Sequence, residues 1–372
     1  MKLAFLFVTL SVLLLNTGAV RVYTVLTQRL SDSPIISNSS GSAWKYNYNA
    51  AAYSDGQNVN LLVRCQDLKN ASEPFAVGPS YISPAIVTFD NAGVPQSTQA
   101  EDVALIADPI TEKCGTEDPR ISYKDGLYYL MYTAYDCTYP KLSLATSPNP
   151  FDAGSWTKHG FVFPDKDISK SGAVLFATRE NNLTQHYLFW GDSSAPVGGI
   201  GIATSKDGLN WTDSGNYLIK VRPNFFDSEL VESGPAPLLL PTGDFLFIYN
   251  SARRGYPSVK PDWQLQYNVG FLILSGADPT KILERSPLPI MAPVLDFEIG
   301  NTTDYLTPNV VFLEGLVPEI GGCPNSVDEL EGVGINRECF FGVYGGSDSD
   351  VGAVRVIVSW VETAEENEMI II

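Results

Sequence analysis

The chain has 372 residues, with 42 acidic against 24 basic side chains and a formal charge of −18. That surplus repels nucleic acid and anionic membranes and leaves neutral or cationic ligands as partners. The five cysteines match no zinc spacing, and a chain of this length does not depend on disulfides for its core.

Residues 1–19 carry one lysine, a largely apolar run from Leu3 to Leu15 and small residues ending at Ala19, the layout of a cleaved secretory signal. The run is too short to span a bilayer, and no later stretch approaches the roughly 20 apolar residues a membrane helix needs. The expected mature protein is therefore soluble, secreted and without a membrane partner. Sequons at Asn38, Asn70, Asn182, Asn210 and Asn301 fit a glycoprotein. An oxidising compartment permits bridges, and Cys114/Cys137 and Cys323/Cys339 would each close a local loop, leaving Cys65 over.

Short alternating aromatic and β-branched runs between Gly, Pro, Asn and Asp turns predict an all-β protein. In chain order the runs form five units. "NLLVRCQD" is followed by "SPAIVTFDNAG", "YYLMYTAYD" by "LSLATSPNPFDAGSW", "YLFWGDSS" by "IGIATSKDGLNW", "FLFIYNSA" by "NVGFLILSGADP", and "CFFGVYGGSDSD" by "GAVRVIVSW". Each unit reads as an inner strand, a loop, a second strand and a turn, the pattern of one propeller blade. The expected architecture is a single-domain, five-bladed β-propeller over residues 21–372. A β-sandwich has similar strand content but leaves the recurrence of the LATS/IATS segments and their closing tryptophans, Trp156 and Trp211, unexplained. Residues 315–337 read as a surface insertion in the last blade, and "VETAEENEMIII" as a last outer strand or a frayed tail.

Strands of a propeller converge on one axis, so polar residues from different blades become neighbours. Candidate site residues, blade by blade, are Asn49 and Arg64; Asp118, Pro119 and Arg120 with Tyr135 and Asp136; Lys170; Glu229, Glu232 and Tyr256; and Asp348. Carboxylates with tyrosines, an asparagine and an arginine, without an available histidine or thiol, are equipment for sugars: one protonated carboxyl donates to a glycosidic oxygen while an ionised one activates water. Burial and a nearby anion would raise the acid's pKa. His159 and His186 read as ordinary surface residues. No nucleophile elbow, Walker loop or dinucleotide fingerprint is present, no cofactor is implied, and "GSDSD" reads as a solvated turn rather than a metal loop.

At "GTEDPRI" joined to "YYLMYTAYD" the chain resembles glycoside hydrolase family 130, the β-mannoside phosphorylases and β-1,2-mannosidases, whose fold is a five-bladed propeller. The likeness continues through "NAAAYSDGQNVNLLVR", "KSGAVLF", "ESGPAPLLLPTGDFLFIYNSA", "DPTKILERSPLPIMAP" with "FEIG", and "VYGGSDSDVGAV". It implies that Asp118 is the proton donor, acting through a hydroxyl of the bound mannoside, and that Asn49, Arg64 and Asp348 hold the sugar being cleaved. Pro119 would aim Asp118 at the axis, with Arg120 holding its neighbours. Phosphorolytic members grip phosphate with basic residues at places occupied here by Glu232, Asn250 and the Trp190/Gly191 neighbourhood.

A carboxylate in the phosphate position repels phosphate, so the expected activity is a secreted, inverting β-mannosidase acting on small β-mannosidic oligosaccharides, with the β-1,2 linkage as the expected one. Glu232 is the expected base and Glu229 the reserve, with a role open for Glu298; Lys170, Asn250 and Tyr256 are expected at the substrate. The alternatives are a phosphate-using β-mannoside phosphorylase and a non-catalytic sugar-binding propeller.

Overall fold

The structure, a computed structural model, describes residues 20–38, 42, 44–67, 78–90, 93–99, 102–192, 198–255, 264–301, 305–324 and 335–363. The expected signal at 1–19, Asn70, Tyr256 and the tail from 364 lie outside them.

The chain starts with β1 (Val20–Arg29), which is held back for the end of the ring. Four strands make the first blade: β2 (Tyr46–Ser54), β3 (Val59–Gln66), β4 (Tyr81–Phe89) and β5 (Pro95–Gln99). The second is β6 (Gly115–Lys124), β7 (Leu127–Tyr135), β8 (Pro140–Ser147) and β9 (Thr157–Phe161). The third is β10 (Ala173–Leu175), β11 (His186–Trp190), β12 (Ile200–Ser205) and β13 (Thr212–Ile219).

The fourth blade holds β14 (Leu230–Ser233), β15 (Leu238–Leu239), β16 (Phe245–Arg254), β17 (Leu265–Leu274) and β18 (Ile282–Arg285). A short helix α1 (Asp296–Ile299) precedes β19 (Val311–Pro318), β20 (Asn336–Gly346) and β21 (Asp350–Thr363). β1 pairs antiparallel along β21, from Val20 opposite Thr363 to Arg29 opposite Val354. The two ends of the chain thus complete the fifth blade in the order β1-β21-β20-β19, and the ring closes.

The core confirms the propeller, because five hydrophobic clusters correspond to the five seams between adjacent blades. Leu130 and Tyr132 pack toward the first blade with Leu62 and Ile82, while their neighbours Tyr129 and Met131 pack toward the third with Phe176 and Trp190. Alternate residues of one strand therefore serve opposite faces, and a blade in the ring is apolar on both. Trp156 and Trp211, which close the sequence repeat, sit against successive seams of this kind.

The structure corrects three expectations about the elements. The strands read as innermost, such as "YYLMYTAYD" (β7), are second from the axis; the innermost strand is the one before, here β6, which carries "GTEDPRISYK". Residues 315–318 and 336–337 belong to β19 and β20, so the interruption of the last blade is narrower than 315–337. His186 is buried rather than a surface residue, with its Nδ1 accepting from the Ala177 N–H at 2.9 Å.

Disulfides join Cys114 to Cys137 and Cys323 to Cys339, and Cys65 is free and buried. Asn38, Asn182, Asn210 and Asn301 are exposed. Among the described residues no helix is long and apolar enough to cross a membrane.

Candidate active site

The site is built where the inner strands leave regular geometry. Pairing slips between Tyr48 and Ala51 in β2 and between Glu117 and Arg120 in β6. Asn49 (φ 48°) and Asp118 (φ 49°) occupy these bulges in the left-handed region, as do Ser171 (φ 57°) before β10 and Asp348 (φ 49°) in the β20–β21 turn. Such backbone costs on the order of 1–3 kcal/mol per residue and gathers where side chains must be aimed against local preference.

Asp118 is the centre. Its Oδ1 accepts from Asn49 Nδ2 at 2.8 Å and from Arg64 Nη1 at 2.7 Å. Arg64 also reaches Glu117 Oε1 at 2.8 Å and Ser80 Oγ at 3.0 Å, with its guanidinium over the Tyr48 ring. Burial would raise the Asp118 carboxyl, but Arg64, Arg120 and the Asn49 amide outweigh it and bring it down to about 2. Its neighbour Glu117 moves the other way, raised by burial against the pull of Arg64.

Glu232, in β14, accepts from Ser171 Oγ and is buried. Desolvation pushes its carboxyl up to about 7; Lys170 and Arg120 oppose the shift, while Asp192 and Asp118 add to it. Lys170 Nζ pairs with buried Asp192 at 2.7 Å. Burial pulls Lys170 down, but Glu232 and Asp192 more than offset it and keep the ammonium charged. Asp348 acts electrostatically on Tyr48 and on Tyr267, and Tyr267 also feels Glu232, Lys170 and Asp192. All five blades, through strands or the loops beside them, thus feed one axial cluster holding Asp118, Glu232 and Asp348.

Arg120 is a brace that holds its neighbours, as the resemblance implied, and not one of the substrate ligands among which it also stood as a candidate. It is 2 % exposed and donates to the carbonyls of Asp118 (3.0 Å), Ser233 (2.7 Å) and Gly234 (3.2 Å). Its Nη2 lies 2.8 Å from Glu314 and 3.9 Å from Glu232. One guanidinium therefore ties the second blade to the fourth and fifth.

A family model described as β-1,4-mannooligosaccharide phosphorylase matches residues 80–320. The chain belongs to glycoside hydrolase family 130. A 1,2-β-oligomannan phosphorylase of Thermoanaerobacter sp. (strain X514) is 29 % identical over 336 residues, 87 % of this chain and 95 % of the relative. A β-1,2-mannobiose phosphorylase of the same strain is 27 % identical over 305 residues, 78 % and 89 % of the two chains. A solved structure, described as showing that "the GH130 family of mannoside phosphorylases contains glycoside hydrolases that target beta-1,2 mannosidic linkages in Candida mannan", aligns at TM-score 0.68 and 25 % identity, covering 88 % of this chain and 93 % of that one.

In this family-130 chain the expected residues divide. Asn49, Arg64, Asp118, Lys170, Glu232 and Asp348 come together at the axis. Asn250 does not serve a ligand: its amide donates to the Leu313 carbonyl (3.0 Å) and accepts from the Leu313 N–H (2.8 Å), stitching the fourth blade to the fifth. Asp136 caps its own turn, accepting from the Thr138 and Tyr139 N–H groups at 2.7 Å, beside half-buried Tyr135 at the strand end. Glu229 is exposed and paired with Arg254 at 3.2 Å, which removes it as a reserve base. Glu298 is wholly buried and spent on Arg29 (2.6 Å), Tyr344 (2.7 Å) and the Val294 and Leu295 N–H groups.

The acid expectation also needs correcting: the carboxyl pushed up is Glu232, whereas Asp118 is held low by two guanidiniums. Glu117, Asp192 and Glu314 join the site without an expected role. Glu117 stood beside Asp118 in the motif and was readable; Asp192 and Glu314 carry no motif and enter only through the fold. Among the described residues no group of His, Cys, Asp and Glu could hold a metal.

Proposed function

We propose that this protein cleaves β-mannosides, with β-1,2-linked oligosaccharides as the substrate class, by a single inverting displacement at the axial cluster. The observation that carries the reading is Asp118, aimed from a strained bulge and gripped through one oxygen by Asn49 and Arg64. Its other oxygen is left to meet a sugar hydroxyl, through which a proton passes to the leaving oxygen. Because Asp118 is ionised in the free pocket, that proton is taken up together with the sugar.

The relatives put phosphate first as the acceptor, since the family description and both sequence relatives are phosphorylases. Water is the second reading, carried by Glu232. A buried carboxyl titrating near neutrality can take a proton from water, and ionised it repels phosphate. The cations around it are already engaged, Arg64 with Asp118 and Glu117, Lys170 with Asp192, and Arg120 with Glu314. The leader-like N-terminus and the exposed sequons support secretion and glycosylation as part of the same proposal.

The deciding experiment incubates β-1,2-mannobiose with the enzyme, with and without inorganic phosphate. Mannose 1-phosphate formed only with phosphate supports phosphorolysis, and equal release of free mannose without it supports hydrolysis. Binding without turnover would overturn both in favour of a sugar-binding propeller.

A further inference from the structure

The inner strands all run the same way through the ring, from the active site toward the opposite mouth. Asn49, Asp118, Ser171 and Glu232 mark the site level. Three to seven residues farther along lie Ala52–Asp55, Ile121–Tyr123, Val174–Phe176 and Pro235–Leu239, with Leu316–Pro318 beside them on β19. These stretches line a second cavity of about 540 Å³. At about 3.3 Å per strand residue, it opens on the order of 10–15 Å below Asp118. Arg120 and Glu314 form the partition, since Glu314 lines the cavity while pairing with the arginine that braces the site.

The wall of this cavity has a specific chemistry. Tyr53, Tyr123 and Tyr128 form an aromatic ledge, with Tyr128 4.9 Å from each of the other two rings. Tyr123 is 60 % exposed, and none of the three hydroxyls hydrogen-bonds to the described protein. Among the described residues no Lys, Arg or His lines the space. Of its three acids, Asp55 is consumed by the Gln57 and Asn58 N–H groups and the Asn60 amide, Glu314 is sealed against Arg120, and Glu180 is exposed at the rim. An anion meets no cation there among the described residues, and a wholly apolar ligand would leave the tyrosine hydroxyls and the Glu180 carboxylate without partners in it.

We propose that this far mouth is a second saccharide site that takes a neutral oligomannoside. Tyrosine faces cover the C–H face of a pyranose while their hydroxyls and Glu180 meet its O–H groups. The volume lies within the range of small-ligand sites. The identity of the sugar rests on the β-mannoside reading of the active site; the cavity's selection of a neutral polyol does not.

The test is calorimetric titration of β-1,2-mannotriose into Asp118→Asn protein, which binds without consuming the sugar. Two molecules per chain are expected, and adding Tyr123→Ala should weaken one of them at least 10-fold while leaving the other and the thermal midpoint unchanged. A single molecule, lost with Asp348→Ala and indifferent to Tyr123→Ala, would overturn the second site and leave the active-site reading standing. A single molecule lost with Tyr123→Ala would support the second site and overturn that reading. No binding overturns both.

Discussion

The residues that matter most are buried ionisable groups whose surroundings divide their proton affinities. Asp118 is held near 2 by Arg64, Arg120 and Asn49, whereas desolvation lifts Glu232 to about 7. If Glu232 activates the acceptor, kcat/KM for β-1,2-mannobiose should fall below pH ~7. Glu232→Gln should lower it at least 100-fold, the low end for removing acid–base help, and abolish that limb. A limb that persists in the variant assigns the titration elsewhere. Stability carries a second signature. A carboxyl raised in the fold favours the native state below its unfolded pKa of about 4.5, and that contribution is lost as pH rises through 7. The thermal midpoint of Glu232→Gln should therefore gain on wild type as pH climbs from 5 to 8; a constant difference would contradict the shift. Arg120→Met leaves Glu314 buried without its cation, a loss of about 3–5 kcal/mol in urea unfolding. Restoration by adding Glu314→Gln would identify the unpaired charge as the cause, and failure to restore would refute it.

At the scale of the strand, the inner elements explain both what the sequence disclosed and what it concealed. β7 is legible because "LYYLMYTAY" alternates cleanly between two seams. Its inner neighbour β6 hides because the bulge at Asp118 breaks the alternation and places charged residues in a strand, so the run reads as a turn. β19 hides for a different reason: Glu314 sits in "VFLEGLVP", with no local signal that a guanidinium from the second blade will meet it. Asn49, Arg64, Asp118 and Asp348 were readable from motifs, whereas the structural duties of Asn250 and Arg120 depend on partners more than sixty residues away. Inner strands also crowd at the axis. A Cβ added at Gly315 would lie 2.5 Å from Val343 Cγ2 and 2.7 Å from the Ala50 carbonyl. Gly315→Ala is thus expected to cost about 1–3 kcal/mol by denaturant unfolding, and an unchanged midpoint would show that the first and fifth blades separate freely.

The whole molecule depends on closure. β1 and β21 join the two ends of the chain in one blade, and the Asp118 cluster exists only because that closure brings five inner strands to a common axis. Leu26, opposite Ile357 in the closing pair and in phase with Leu30, whose N–H meets the Ala353 carbonyl, is a point at which to open it: Leu26→Pro removes a ladder N–H and should lower the thermal midpoint while abolishing activity with it. Activity surviving with an open ring would mean that the catalytic groups lie within fewer blades. On the proposed reading, a closed five-bladed ring aims Asp118 at a β-mannoside for inverting cleavage. The most direct test is time-resolved NMR of β-1,2-mannobiose with wild-type and Asp118→Asn enzyme, recording the anomer first formed. The expected result is an α-configured mannosyl product from wild type, as mannose 1-phosphate or as mannose, and a rate at least 100-fold lower from the variant. A β-configured first product, or cleavage indifferent to Asp118, would contradict it.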